Sequence, residues 1–328
     1  MAFLTNAAEN SMSKHREPAS ATLIADALHA KLEDHFVYRG MCDASAAAAL
    51  GEDLFVVAND ERNQLKIYQR GVADAVDVVD LSEFLGTKKN KESDLEGAAT
   101  IGERIYWITS HGRNKKGEVQ ERRFRFFATE AGKANGKGKA RLEPVGKAYS
   151  GLLDDMIESE QLKKYPIAQA SGKTPEADGA FNIEGLAATP EGTLLIGLRN
   201  PAPEGKALVV HLLNPQKVIE GERAEFGEAF ELDLGGLAIR SMELVGLAYM
   251  IVAGPPADHG EFALYRWSGK KDDAPEQLVH EDLDDVRPEA LFAIPGTRKV
   301  QILSDDGGSH VKEMPEEEQT FRSITVAL

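Results

Sequence analysis

The chain reads as an all-β protein, a single β-propeller of four-stranded antiparallel blades. Three observations predict this. First, a short polar or charged motif followed by a small-apolar run occurs five times: Asp43-Ala-Ser-Ala-Ala-Ala, Glu96-Gly-Ala-Ala, Glu184-Gly-Leu-Ala-Ala, Arg240-Ser-Met-Glu-Leu and Glu289-Ala-Leu-Phe-Ala. Second, each copy leads into another apolar strand: Val56-Val-Ala-Asn59, Trp107-Ile-Thr-Ser110, Leu195-Ile-Gly-Leu-Arg199, Ile251-Val-Ala-Gly254 and Gln301-Ile-Leu-Ser304. Third, the copies recur roughly every 40–50 residues, a period that belongs to propellers, solenoids and arrays. Five blades are expected. Six are the alternative, because the second repeat is long.

Each blade can be read strand by strand. Gly51-Glu-Asp, Gly102-Glu-Arg, Pro190-Glu-Gly and Pro295-Gly-Thr turn the first strand into the second. Third strands are expected at Leu65–Arg70, Arg123–Ala128, Ala207–Leu212, Phe262–Trp267 and, weakly, His310–Met314. Fourth strands are expected at Ala75–Val79, Arg141–Val145, Ala229–Asp233, Glu276–His280 and Phe321–Val326, the last being either the outer strand of its blade or the closing strand beside the N-terminal region. Several of these alternate polar with apolar residues, as half-buried strands do. Leu152, Leu153, Met156, Ile157 and Leu162 instead fall near helical spacing, which predicts a helical insertion near 149–165. The segment Ala21–Ala30 fits a helix or an extra strand, and residues 1–20 read as a disordered arm before a propeller over 21–328.

Composition narrows the function. The 328 residues hold 38 Lys+Arg against 54 Asp+Glu, a net charge of −16. That balance argues against nucleic acid and anionic membranes, which both need clustered cations. Cys42 is the sole cysteine, so no intrachain disulfide can form, as suits a reducing compartment. The N-terminus lacks a signal-peptide core, and no apolar run approaches a membrane span. The reading is a cytoplasmic protein.

Propeller topology brings the start of strand one and the end of strand two to one face. Asp43, Glu96, Glu184, Arg240 and Glu289 should therefore surround a channel mouth. Asn59-Asp60, His111, Arg113, Arg199-Asn200 and Asp305-Asp306 should lie beside them. A ring of carboxylates around one arginine is costly unless paired, hydrated or metal-bound. Asn59, Asp60, Asp305 and Asp306 offer hard oxygen ligands that suit calcium or magnesium. Such an ion would polarise a phosphoryl or carbonyl oxygen. Glu184 would serve as metal ligand or base and His111 as general base. Arg240 and Arg199 would hold an anion, since guanidinium pairs bidentately with carboxylate or phosphate. Asp43, Glu96, Glu289, Asn200 and Arg113 complete the expected ligand shell. The partner is then a small anionic molecule and the activity a metal-dependent hydrolysis of phosphate esters, lactones or other esters. The alternative is a protein-interaction propeller whose Glu–Arg ring is structural. No Gly-x-Ser-x-Gly elbow, complete P-loop or zinc spacing occurs, so no nucleotide cofactor is expected.

The stretches Met41-Cys-Asp-Ala-Ser45, Asp94-Leu-Glu-Gly97, Asn182-Ile-Glu-Gly-Leu186, Ile239-Arg240-Ser-Met-Glu and Leu303-Ser-Asp-Asp-Gly307 resemble the uncharacterised bacterial family called domain of unknown function 3616. The resemblance spans about residues 38–328. It implies a propeller and no established activity. A looser similarity runs to phytase-like and esterase-like propellers, whose acidic channel-mouth residues can hold calcium. The fourth copy here carries Arg240 in place of an acid.

Overall fold

The computed structural model describes residues 30–328, apart from 60, 90, 133–140, 176, 257–259, 279–282 and 284–285. The arm over 1–20, most of the Ala21–Ala30 segment and Asp60 lie outside the described residues.

Among the described residues twenty strands form five antiparallel four-stranded sheets. The chain enters through β1 (Lys31–Arg39). Blade one is β2 (Ala44–Ala49), β3 (Leu54–Asn59), β4 (Gln64–Gln69) and β5 (Asp77–Asp80). Blade two is β6 (Leu95–Ile101), β7 (Arg104–Thr109), β8 (Phe126–Gly132) and β9 (Arg141–Tyr149). The insertion then forms α1 (Leu152–Glu158) and α2 (Ile167–Ala170), and its apolar face packs between blades two and three. Blade three is β10 (Asn182–Ala188), β11 (Leu194–Asn200), β12 (Ala207–Leu212) and β13 (Phe230–Leu232), with α3 (Pro215–Glu220) before its last strand. Blade four is β14 (Ala238–Val245), β15 (Ala248–Gly254), β16 (Ala263–Trp267) and β17 (Glu276–Gln277). Blade five has β18 (Pro288–Ile294), β19 (Lys299–Ser304) and, after α4 (Ser309–Lys312), β20 (Thr320–Ala327); β1 completes it.

The protein is thus a five-bladed propeller, and the six-blade alternative falls. Two expectations about the last blade need correction. His310–Met314 is not a strand: residues 309–312 form α4. The segment around Phe321–Val326 is the third strand and not the outer one, and it closes the ring beside the N-terminal region, as the alternative reading expects. The fourth comes from the other end of the chain, where β1 runs antiparallel to β20 from Lys31↔Ala327 to Arg39↔Thr320. Closing one blade with both ends of the chain ties the ring shut and leaves short, protected edges.

Five apolar clusters hold the ring, one between each pair of neighbouring blades. The cluster at the closure is aromatic: Tyr38 of β1 stacks on Phe321 and meets Phe55 and Tyr68 edge-on. Aromatic pairs of this kind add to their burial about 0.5–1.5 kcal/mol each. Among the described residues no helix is long and apolar enough to cross a membrane.

The inner strands explain the repeated motif. In every blade, one residue of the first strand is skipped in its pairing with the second, and in blade three Arg199 of the second strand is skipped as well. The skipped first-strand residue is Ser45, Glu96, Glu184, Arg240 or Glu289. A bulge leaves its extra residue unpaired and re-aims it. The residue that follows is always small: Ala46, Gly97, Gly185, Ser241, Ala290. Neighbouring inner strands pack too closely for more. A Cβ on Gly97 would meet Leu186 of the next blade at 3.0 Å, and one on Gly185 would meet Ile239 at 2.8 Å. "Charged, then small" therefore encodes a bulge facing the channel beside a tight blade–blade contact.

Candidate functional site

All five bulge residues line one cavity of about 860 Å³. This corrects the first copy of the motif. Its bulge residue is Ser45, not Asp43, which lies two residues earlier. Counting two back from each bulge gives a second set: Asp43, Asp94, Asn182, Ala238 and Arg287. In the alanine-rich first copy Asp43 is the charged landmark, and it stands two residues before the bulge.

Arg240 organises the floor. Its Nε lies 3.0 Å from Glu184 Oε2 and donates to Glu289 Oε2 at 3.1 Å, while Nη2 donates to Glu289 Oε1. Glu184 is 3 % exposed, and its Oε1 accepts from Arg199 Nη1 at 3.0 Å and Asn182 Nδ2 at 2.9 Å. The five-bladed geometry puts three blades into one network through β10, β14 and β18. Against the cost of burial, Glu184 and Glu289 keep Arg240 firmly charged. Burial pushes the Glu289 carboxyl up to about 7, because the opposing pull of Arg240 is shared with Glu184, which itself repels a second negative charge.

Blade two builds a wall. Asp94 sits just before β6 with Arg123 Nη1 3.0 Å from its Oδ2, and Glu92 Oε1 accepts from Arg123 Nη2 at 2.5 Å. Asp94 (φ 64°) and His111 (φ 53°) both occupy the left-handed region, tolerated best by Asn, Asp and His. They are joined by Ser110 N–H donating to the Asp94 carbonyl at 2.9 Å. This turn sends the chain 112–116 over the cavity. There Arg113 donates from Nε to the Ser171 carbonyl at 2.8 Å and from Nη1 to the Gly117 carbonyl at 2.9 Å. Lys115 and Lys116 line the same wall.

The opposite wall joins blades five and one. Asp43 forms an isolated bridge with Asp305. Burial, followed by the charge of Asp43, pushes Asp305 up to about 6. Lys312 of α4 reaches over both blades, with Nζ 3.0 Å from Asp43 Oδ1 and a further contact to Glu61.

The structure brings Glu96, Glu184, Arg240, Glu289, Arg113, Arg199, Asn200 and Asp305 to the cavity. Asn59 and Asp43 line a neighbouring cavity of about 570 Å³ instead. Asn59 is spent locally, its Oδ1 accepting from the Glu61 N–H at 3.1 Å. Asp306 is held by Arg322, whose Nη2 lies 2.6 Å from Oδ1, and by Ser304 Oγ at 2.7 Å. His111 is 1 % exposed and outside the cavity lining; it packs edge-on against Phe124. Burial lowers it to about 4, so it is neutral near pH 7, with Nδ1–H donating to the Thr109 carbonyl at 2.8 Å.

Among the described residues no group of three or more His, Cys, Asp or Glu side chains is placed to hold a metal ion. The carboxylates of Glu184, Glu289, Asp43 and Asp306 each face an Arg or Lys. A calcium or magnesium ion on those four carboxylates would have to displace their cations.

A family profile described as protein of unknown function (DUF3616) matches residues 43–128 and 119–302. The chain belongs to this family. The match takes in all five bulge positions, from Ser45 to Glu289. No curated protein sequence matches the chain. Among solved structures, it is similar to the PQQ-bound aldose sugar dehydrogenase of Streptomyces coelicolor, at 12 % identity and TM-score 0.45, over 89 % of this chain and 98 % of that one. It is also similar to a putative oxidoreductase (glucose dehydrogenase) of Thermus thermophilus, at 14 % identity and TM-score 0.44, over 89 % and 100 %. Similarity to the β-propeller domain of Myceliophthora thermophila Cps50 (Swd1) has 8 % identity and TM-score 0.38, over 91 % and 99 %. These likenesses do not bear on what the chain binds.

Proposed function

We propose that the channel mouth binds a small polar organic anion. One observation carries this reading. Arg113, Lys115 and Lys116 line one wall of the cavity, and among the described residues none of them is paired with a carboxylate. The guanidinium of Arg113 meets main-chain carbonyls, which orient it without neutralising it. A ligand phosphate or carboxylate would supply the missing charge. The floor beyond it, Asn182, Glu184 and Asn200, offers amide and carboxylate groups to ligand hydroxyls. Titration calorimetry with phosphate monoesters, sugar acids and hydroxy-dicarboxylates tests the reading. At least one should bind, and Arg113→Met should weaken it about tenfold or more, as loss of a charge-assisted hydrogen bond does. A panel silent at millimolar concentration, or binding indifferent to Arg113→Met, would reject it.

A second reading, hydrolysis of a bound ester, is favoured by Glu289. Held at about 7, it is a carboxyl at the mouth that changes charge near neutrality. In this reading Glu289 takes the acid–base role expected of His111, Arg240 stabilises developing negative charge, and no metal takes part. Glu289→Gln should then abolish turnover of a bound ester while preserving its binding.

A further inference from the structure

The neighbouring cavity of about 570 Å³ lies between the β3–β4 turn of blade one and the segment from α4 to β20 of blade five. Among the described residues it shares only Glu61 and Lys312 with the channel mouth. Every described residue that lines it is polar or charged, and three acids balance three bases among them. Those charges are paired. Lys312 faces Asp43 and Glu61, Lys89 lies 3.0 Å from Asp80, and Arg62 meets Glu316.

The carboxamides are what is left over. Asn59 is 2 % exposed; its Oδ1 accepts from the Glu61 N–H, and its Nδ2 has no acceptor among the described residues. Gln319 is 5 % exposed; its Nε2 donates to the carbonyls of Lys312 at 3.3 Å and Met314 at 3.1 Å, and its Oε1 has no donor among them. Main-chain partners thus fix which end of each side chain is free. Gln64, directly opposite Asn59 in the β3–β4 pairing, has a buried Oε1 that also lacks a donor. All three residues line this one cavity. Polar groups on side chains this deeply buried are ordinarily hydrogen-bonded, so three unmet ones around one space point to a guest.

We infer that this cavity is a second binding site, for a neutral polyhydroxyl compound, a sugar or a cyclitol. A hydroxyl both donates and accepts, so neighbouring hydroxyls can meet the Asn59 donor and the Gln64 and Gln319 acceptors together. An anion only accepts and would leave both acceptors unmet. An ammonium group only donates and would leave the Asn59 amide unmet. The balanced wall favours neither charge, and no apolar side chain among its described residues offers a surface to an aromatic or acyl ligand.

Titration calorimetry on the full chain with myo-inositol, sorbitol, glucose and trehalose tests the inference. At least one should bind at millimolar concentration or below. Asn59→Asp keeps the oxygen that accepts from Glu61 and replaces the amide donor, and it should weaken binding about tenfold. Gln64→Met keeps the length of the side chain and removes the unmet oxygen. It should weaken binding yet melt no lower than the native protein, because an acceptor left unsatisfied in the fold does not stabilise it. A lower melting temperature in Gln64→Met would show that the fold itself uses that oxygen and would overturn the inference. A panel silent at millimolar concentration, or binding indifferent to both variants, would overturn it too. The outcome is separate from that of the anion panel, since Arg113, Lys115 and Lys116 line the channel mouth and not this cavity.

Discussion

Arg240 and Glu289 meet side-on across the channel mouth, Nε and Nη2 of one against both carboxylate oxygens of the other. The same Nε lies 3.0 Å from Glu184. One cation thus joins two acids from blades three and five, with all three side chains nearly withdrawn from solvent. Removing it leaves two buried carboxylates facing each other. Arg240→Met should cost about 3–5 kcal/mol, the penalty of breaking a buried pair from one side. The triple change Glu184→Gln/Arg240→Met/Glu289→Gln should recover part of that loss. Chemical denaturation checks both, and an unchanged midpoint in Arg240→Met would mean that the pair is effectively solvated.

Stability should fall as pH rises from about 6.5 to 8. Burial pushes Glu289 up to about 7 and Glu243 up to about 8, the latter while its carboxylate accepts from the Ala293 N–H. A carboxyl raised in the folded state holds a proton that the unfolded chain has already released. Its stabilising contribution is present in full below the unfolded value and is lost as pH climbs through the folded one. His111, lowered to about 4, works in the opposite direction but only below its ordinary value of 6.5. Above that pH the carboxyls dominate, each with a slope up to about 1.4 kcal/mol per pH unit. Urea midpoints across the window should decline, and Glu243→Gln should flatten the decline. A midpoint that rises with pH would contradict the assignment.

Much of this was legible in the chain. A bulge needs a polar residue that faces the channel and a small one behind it, so Glu96-Gly97, Glu184-Gly185 and Glu289-Ala290 announce themselves. The first copy does not: small residues run from Ala44 to Ala49, and nothing marks Ser45 as the bulge. The closing strand β1 was illegible for a different reason. Its partner β20 lies at the far end of the chain, and a count that runs forward from each motif assigns it to no blade. Counted that way, the last blade needs a third strand before Phe321, and His310–Met314 is the segment that fills the place. The burial of His111 depends on the turn shared with Asp94, a tertiary relationship without a sequence mark.

Gly307 should tolerate no side chain. A Cβ there would overlap Asp43 Oδ1 and stand 2.9 Å from Asp305 Oδ1. The two aspartates approach each other only because this glycine lets the loop after β19 fold over them, its N–H donating to Asp305 Oδ1 at 2.8 Å. Gly307→Ala should cost about 1–3 kcal/mol, the range for overpacking. Gly308→Ala, where a Cβ meets nothing within 4 Å, is the control. Equal melting temperatures for the two variants would show that the Asp43 side chain simply moves aside.

Calcium and magnesium should leave the native melting temperature unchanged, because Arg240, Arg199 and Lys312 already neutralise the acids an ion would need. Arg240→Met changes the answer. It strips Glu289 and Glu184 Oε2 of their guanidinium while Arg199 keeps Glu184 Oε1, and hard oxygen donors short of a cation are what calcium seeks. That variant should gain thermal stability on adding millimolar calcium, where the native protein does not. An ion at a hundredfold excess over its dissociation constant stabilises by about 2.7 kcal/mol. Thermal melts of both proteins, with calcium and with chelator, settle the point. A calcium-dependent rise in the native protein would mean that the ion outcompetes a guanidinium already in place, and the mouth would then be a metal centre after all.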